Sequence, residues 1–511
     1  MRKGKPKTPK KLDLAIEVKN FGPISKGTVS LKNLTVLIGP NNSGKSYIAM
    51  LVHAFAESYS QRFGLDASTL HYLIRIPVDE KQILINNLPE LEELINMFAK
   101  SINEELEIPQ EISNKIIDEI YKHYYDHNLK DKIEAIYACQ QKELIRIDET
   151  SYKIGITYSG NVSILSFVRS GKYMKIKNTF NADNITYYIQ SEKSNQSPSI
   201  REAYSFDITE SGETASISNI FIRNVLHISK ENMIKNCQHI METVIDSHYR
   251  RIAQKSTMPL SYYLPAGRTG ILQSYRTLLA NIVNNLTFSS TRKTEPASMQ
   301  GAVVQLISDI YTMPDKHGPL YDIVVEFEHE ITKGEITIKR LLPGSIPEIQ
   351  YSFKGTAIPI HRTSSTISEL APIILYLKHR VEPGDIMIIE EPEAHLHPEN
   401  QRLMAKLLVK LIRAGVYVII TTHSDFLLEQ LSNYLLISTL PTKKKKFFET
   451  ENYISTDEIG AYVFQQDNTK GGYQIREEEI DKDDGISDEE FFNVNKSLYD
   501  ETVKIKDAMT E

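Results

Sequence analysis

The chain of 511 residues contains no tryptophan and only two cysteines, Cys139 and Cys237, far apart in sequence. No Cys-x-x-Cys pair occurs, so neither a zinc hook nor a disulfide framework is indicated, and a reducing, cytoplasmic setting is the expectation. Long apolar runs are also missing. None reaches the roughly 18 residues of a membrane span, and no apolar core follows the basic opening MRKGKPKTPKK, so a secretory signal and a membrane partner are not expected. There is no excess of positive charge either: with 59 Lys and Arg against 66 Asp and Glu, the formal net charge is -7. Contact with nucleic acid would therefore need a local patch. The 27 tyrosines are scattered and form no stacking stripe. What remains, 41% hydrophobic and 24% charged residues, is ordinary for a soluble globular protein, and the length allows roughly three or four domain-sized units.

Against that background one segment stands out. LTVLIGPNNSGKS joins an apolar, β-prone run to KSYIAMLVHAFAES, which has helical periodicity. Between them lies Gly39-x-x-x-x-Gly44-Lys45-Ser46, the phosphate-loop pattern in its required strand-to-helix context. The glycines let backbone N–H groups turn toward an anion, and the helix N-terminus adds positive partial charge there. Lys45 can reach the β- and γ-phosphates of a nucleoside triphosphate, and the Ser46 hydroxyl can ligate Mg²⁺. By chance alone the pattern would arise in about one chain in fifty of this length.

A phosphate loop needs an acid at the end of another strand. GDIMIIEEPEAHLHPENQ provides two, Glu390 and Glu391, after the apolar run Ile386–Ile389. The first is placed to sit near Mg²⁺, the second to orient and deprotonate the attacking water. A further apolar run, Val416 to Thr421, precedes His423, which can touch the γ-phosphate. Between loop and acids, HRTSSTISELAPIILYLKH starts a helix, with Thr366-x-x-Glu369 reading as a capping box. Its serines and helix N-terminus either only cap the helix or offer donors to a phosphate, that of a neighbouring subunit if the helix points away from its own loop.

Together these elements resemble the ABC-type ATPase head of the SMC, RecF and OLD group, and most of all the stand-alone AAA family ATPases of bacterial and phage-defence loci. The opening IEVKNFGPISKGTVSLKNLTVLIGPNNSGKS carries the resemblance, with YLPAGRTGI, EEPEAHLHPENQ and TTHSDF. It is strong over 30–55 and 260–435, and 60–250 holds no motif of the group. The resemblance implies ATP and Mg²⁺ as ligands. Gly39, Pro40, Asn41, Asn42, Ser43, Gly44, Lys45 and Ser46 would form Walker A, with Tyr47 grouped among the ATP contacts. Glu390 and Glu391 would be Walker B, Glu391 the catalytic base, and His423 the switch histidine, acting with Lys45. Ser364, Ser365 and Ser368 lie in the signature segment that meets ATP from the opposite protomer, and Ala394 to Pro398 would be the D-loop, which accounts for the HLH triplet better than a metal pair does. Three departures stand: Glu390 replaces the usual Asp, the signature lacks its glycines, and the Q-loop glutamine has only candidates in Gln140, Gln141 and Gln273.

The expected fold is α/β: an ABC-type P-loop head, a mixed sheet with flanking helices and an antiparallel β-lobe, carrying a helical insertion. The expected division is lobe I with Walker A over 1–59, a helical insertion over 60–145, and an antiparallel β-lobe with a long helix at about 216–254 over 146–260. Lobe II follows over 261–440, then strands and a helix over 441–511. YDIVVEFEHEITKGEITIKRL reads as a hairpin turning at Lys333-Gly334. LLIST, AYVFQQ and GGYQIREE read as short strands before an acidic turn and a final helix. Arg268 is either a solvated arginine at a helix start or an anion or lobe-closing contact. Lys443 to Lys446 and the basic N-terminus read as solvated charge, with nucleic acid or a partner as the alternative. No paired acids of a Toprim nuclease are evident, so no intrinsic nuclease is expected. The functional expectation is an ATPase of at least dimeric assembly, sensing DNA or a phage product and controlling a separately encoded effector nuclease or toxin. A RecF-like repair ATPase and an ATP-bound structural scaffold are the alternatives.

Overall fold

The computed structural model describes residues 12–59, 105–124, 129–158, 161–168, 173–178, 186–191, 199–211, 214–228, 258–277, 300–340, 346–448, 453–480, 485–486 and 489–510, with Glu93, Met97, Lys100 and Ile245. The first strands form a hairpin, β1 (Leu14–Phe21) and β2 (Ile24–Ser30), and β3 (Leu34–Ile38) runs straight into the phosphate loop. Beyond β1 the sheet continues antiparallel through β5 (Ser151–Tyr158), β6 (Asn161–Val168) and β7 (Tyr173–Asn178). On the other side lie β11 (Ser261–Leu264), β15 (Ile386–Glu390), β16 (Tyr417–Thr422), β17 (Ile459–Gln466) and β18 (Tyr473–Glu478). The eleven strands are ordered β11-β15-β16-β3-β17-β18-β2-β1-β5-β6-β7. The first five are mutually parallel.

The parallel half is covered on both faces, which is why its strands are continuous apolar runs. β3, β15 and β16 are buried at every position. On one face Leu37, Ile386, Ile388 and Ile419 pack with α1 (Lys45–Tyr59) through Ile48, Leu51 and Phe55. On the other, Val36, Ile389 and Ile420 pack with α6 (Ser365–His379), α7 (Pro398–Arg413) and α8 (Asp425–Thr439). Register then fixes the site. Glu390 lies opposite Thr421, and Thr422 lies opposite Ile38. The C-terminal ends of β3, β15 and β16 are thus level, at the edge where open α/β sheets bind ligands.

Two smaller sheets flank the main one. One joins β4 (Glu105–Glu107), β8 (Thr186–Ser191), β10 (Thr214–Ile228) and β9 (Ser199–Ser211), in that order; the other joins β12 (Glu335–Lys339), β13 (Glu348–Phe353) and β14 (Thr356–Pro359). The helices of the insertion that are described are α2 (Gln110–Tyr124) and α3 (Lys130–Tyr137), and α4 (Gly301–Tyr311) follows further along the chain. Residues 60–92 of the insertion lie outside the described residues. The architecture is the expected α/β one, a mixed sheet with flanking helices and an antiparallel lobe. Among the described residues no helix is long and apolar enough to cross a membrane.

Four local expectations are corrected. The helix expected at about 216–254 is strand as far as Ile228, because β10 pairs with β9 along its length; of the remainder only Ile245 is described, and it is helical. Val324 and Phe327, which the hairpin reading put in a strand, lie on the buried face of α5 (Tyr321–Thr332); Lys333 ends that helix in a left-handed conformation, and only then does β12 begin. LLIST is the last part of α8. The helix α6 is capped by Ser364, whose Oγ accepts from Ile367 N at 3.4 Å, and Glu369 is engaged elsewhere. The last strands and the C-terminal helix α9 (Glu489–Thr510) are as expected.

Candidate functional site

The phosphate loop is shaped by its glycines. Gly39 has φ +146 and Gly44 φ +104, and a Cβ would lie 2.7 Å from the Phe464 carbonyl at the first and 2.7 Å from Ile24 Cγ1 at the second. Neither position tolerates a side chain without displacing β17 or the β1–β2 hairpin. Lys45 curls over the loop, its Nζ donating to the Gly39 and Pro40 carbonyls at 2.7 and 2.8 Å. Ser43 is buried and its Oγ has no hydrogen-bond partner. Asn41 and Asn42 are exposed, and Asn42 has φ 62. Ser46 is half-buried in the first turn of α1. The ring of Tyr47 packs edge-on against Phe21 at 5.9 Å and against Tyr137 at 5.4 Å, so the ring belongs to this aromatic cluster.

The two acids at the end of β15 have different surroundings. Glu390 is buried; its Oε2 accepts from Ala266 N at 3.0 Å, while its Oε1 is buried with no partner. Burial and this carboxylate hold the neighbouring Tyr263 hydroxyl well above its usual range. Glu391 is more open and its backbone is left-handed, φ 44, rare for a residue with a side chain. Its N–H donates to the Thr421 carbonyl at 3.0 Å and to Thr421 Oγ1 at 3.2 Å. His423, one residue past β16, places Nε2 3.9 Å from Glu391 Oε1. Burial and the nearby Lys45 ammonium lower the His423 pKa, so its imidazole is neutral near pH 7. Lys45, Glu391 and His423 therefore converge, although they come from three separate segments.

Sequence reasoning did not single out Glu393. It is buried, and its Oε1 accepts from Thr422 Oγ1 at 2.7 Å and from His423 N at 2.8 Å. Burial raises its pKa against those two donors. It ties the turn after β15 to the end of β16 and to His423. The signal was a third acid in EEPEAH, next to a proline. Of the two readings of Arg268 the solvated one is excluded: the residue is fully buried, bound to Glu369, Glu390 and Glu391.

In the segment expected to act as signature, Ser364 and Ser365 are exposed. Ser368 is buried, its Oγ 3.0 Å from Thr363 Oγ1 and 3.2 Å from the Ile360 carbonyl. Thr366 Oγ1 donates to the His395 carbonyl at 2.9 Å, joining the first turn of α6 to the turn after β15. His397 caps α7 through Nδ1, and no group of three or more His, Cys, Asp or Glu among the described residues is placed to hold a metal. Of the glutamine candidates, Gln141 is buried with Oε1 accepting from the Tyr152 hydroxyl at 2.9 Å, Gln140 caps a short 3-10 turn, and Gln273 is exposed. The side chains of Lys443 and Lys444 are exposed, as are those of Phe447 and Phe448.

The donor set suits a triphosphate and a hard cation. Ser43 Oγ and Glu390 Oε1 are buried polar atoms lacking partners, a costly state that a ligand in the cleft would relieve. Ser46 and Glu390 offer the oxygen donors that Mg²⁺ prefers.

The model of a family described as AAA ATPase domain matches residues 14–428. No curated protein matches the chain. Among solved structures, an SMC head bound to the C-winged helix domain of ScpA is similar at 11% identity, covering 93% of this chain and 99% of that one, with a TM-score of 0.38. The SMC head domain from Thermotoga maritima is similar at 10% identity, covering 92% and 100%, with a TM-score of 0.34. The recombination mediator RecF is similar at 9% identity, covering 92% and 99%, with a TM-score of 0.32.

Proposed function

This chain belongs to the AAA ATPase domain family and is an ATPase, and we propose that it hydrolyses ATP in composite sites formed when two heads meet. The observation that carries this reading is the division of labour among the site residues. Lys45, Glu391 and His423 converge at the level ends of three parallel strands. The serines Ser364 and Ser365 are exposed at the start of α6, free to meet a second protomer. In this reading the backbone of residues 39–46 and Lys45 bind the phosphates. Ser46 and Glu390 hold Mg²⁺, which would screen the charge of the β- and γ-phosphates. Glu391 takes a proton from the attacking water, and neutral His423 stays beside the γ-phosphate as its sensor. ATP binding then closes the heads and hydrolysis parts them, a switch between two populated states.

The switch, in our reading, serves bacterial anti-phage defence: the chain senses DNA or a phage product and controls a separately encoded effector. The resemblance of the opening and of YLPAGRTGI, EEPEAHLHPENQ and TTHSDF to defence ATPases supports this. So does α9, whose Leu498, Tyr499 and Ile505 are exposed apolar side chains of the kind a partner surface uses. The test is a pull-down of tagged Glu391→Gln protein with ATP from its native operon, followed by mass determination. A second stoichiometric protein of nuclease or toxin character is expected. A bare homo-oligomer would count against the defence role.

A further inference from the structure

The YLPAGRTG segment has no assigned role in the composite site, yet it contains an arginine engaged through all three guanidinium nitrogens. Arg268 is fully buried. Its Nε donates to the Glu369 carbonyl at 3.1 Å, and one terminal nitrogen donates to the Pro265 and Glu390 carbonyls at 3.0 and 2.6 Å. The other terminal nitrogen donates to the Glu391 carbonyl at 3.1 Å and lies 3.2 Å from Glu369 Oε1. Glu369 completes the junction. It accepts from Arg268 N at 3.1 Å, Thr269 N at 2.8 Å and Thr269 Oγ1 at 2.7 Å.

Two features make this more than a staple for the fold. First, Glu391 sits at φ 44, and its peptide groups are held from both sides, by Thr421 on its N–H and by Arg268 on its carbonyl. A strained backbone persists only where its surroundings over-determine it, and such places cluster at functional sites. Second, Glu369 lies on α6 one turn beyond the exposed Ser364 and Ser365. One planar guanidinium therefore grips both the backbone carrying the acids of this chain's own site and the helix whose first residues are exposed. Lysine, a single point of charge on a flexible stem, cannot span both sides at once.

We propose that Arg268 is a positioning residue that locks the signature segment, offered to a partner's ATP, to the hydrolytic acids of its own site. The inference rests on the composite-site reading above. Its consequence is that closing one site presses on the acids of the other through a rigid link of two buried side chains.

The test uses full-length Arg268→Lys and Glu369→Gln, each alone and combined with Glu391→Gln. Glu369→Gln turns an amide N–H₂ toward donors that now meet a carboxylate, loosening the helix side while leaving the arginine on the two carbonyls. The readouts are affinity for a fluorescent ATP analogue, ATP-driven dimer mass, turnover and melting temperature. In the Glu391→Gln background, the brace variants are expected to bind nucleotide within about threefold of their parent but to need at least about tenfold more protein to dimerise. With Glu391 intact, kcat is expected to fall at least about tenfold with KM little changed. Parental dimerisation and parental turnover, even with a lowered melting temperature, would make the pair a mere fold staple and overturn the proposal. Should Arg268→Lys fail to fold, Glu369→Gln carries the test. If the Glu391→Gln parent itself stays monomeric in saturating ATP, the composite-site reading fails and this inference falls with it. If the parent dimerises and the brace variants match it, only this inference falls.

Discussion

The phosphate loop and the corner at Glu390–Glu391 lie at the level ends of parallel strands of one sheet, yet they are built by opposite means. The loop is one contiguous segment whose binding power lies in its backbone. Its geometry is set by two glycines at φ +146 and +104, pressed against Phe464 and Ile24. The corner is assembled from Ala266, Arg268, Glu369, Thr421 and Glu393, scattered over more than a hundred positions, and its geometry is set by buried charge. Binding the phosphates can therefore be written as a motif. Aiming Glu391, the base we propose, depends on which distant residues the sheet register brings together.

That contrast predicts that damage to the corner separates turnover from binding, whereas damage to the loop removes both. The largest effect is expected from Glu391→Gln, with kcat lowered by about 10²–10⁴-fold and nucleotide affinity within about threefold. Steady-state hydrolysis beside equilibrium binding checks it, and an equal loss of both would erase the distinction. Next comes Gly39→Ala, whose new Cβ would sit 2.7 Å from the Phe464 carbonyl. Nucleotide binding should be lost together with about 1–3 kcal/mol of stability in urea unfolding, as overpacking costs. Wild-type stability and affinity would show that the loop is not built by close packing. Glu393→Ala should then cost about 1–3 kcal/mol, because Thr422 Oγ1 and the His423 N–H lose a buried acceptor. It should also lower kcat about tenfold through a misplaced His423, with affinity unchanged.

The remaining effect concerns pH. His53, on α1 below the loop, is buried beside Ser261 at 3.0 Å, and burial, aided by Lys132, lowers its pKa to about 3. The unfolded chain takes up a proton on this group near pH 6.5, and the folded chain does not until about pH 3. The contribution is thus complete above pH 6.5 and is lost as pH falls toward 3, by about 1.4 kcal/mol per pH unit within that window. Urea unfolding at pH 7 and pH 5 should show a shallower loss for His53→Gln than for the wild type. Identical slopes would place the acid sensitivity elsewhere.

What could be read in the sequence follows the same division. The loop, the strands at 386–390 and 417–422, the paired acids and the histidine after the second strand are contiguous signals, and each lies where its local pattern put it. Residues 321–332 were harder, because the short apolar run IVVEF suits a strand as well as a helix. The left-handed Lys333 and the helix face formed by Val324 and Phe327 decide it. Residues 216–228 became strand because β9 supplies a partner, a fact no local window contains. Glu369 fitted a capping box by spacing, but its carboxylate is drawn to Arg268, a hundred residues away along the chain. Spacing cannot reveal such a partner. The buried fate of Arg268 and the tie made by Glu393 were hidden for the same reason.

The most direct measurement of the composite site is ATP turnover per chain as a function of chain concentration, at saturating ATP. Two half-sites that must meet predict a specific activity that rises steeply with concentration and then levels off. Adding an excess of Lys45→Ala protein, which keeps Ser364 and Ser365, should raise the activity of dilute wild-type chains. A specific activity that is flat from the lowest concentration, with no response to the added variant while both proteins remain monomeric by mass, would contradict it.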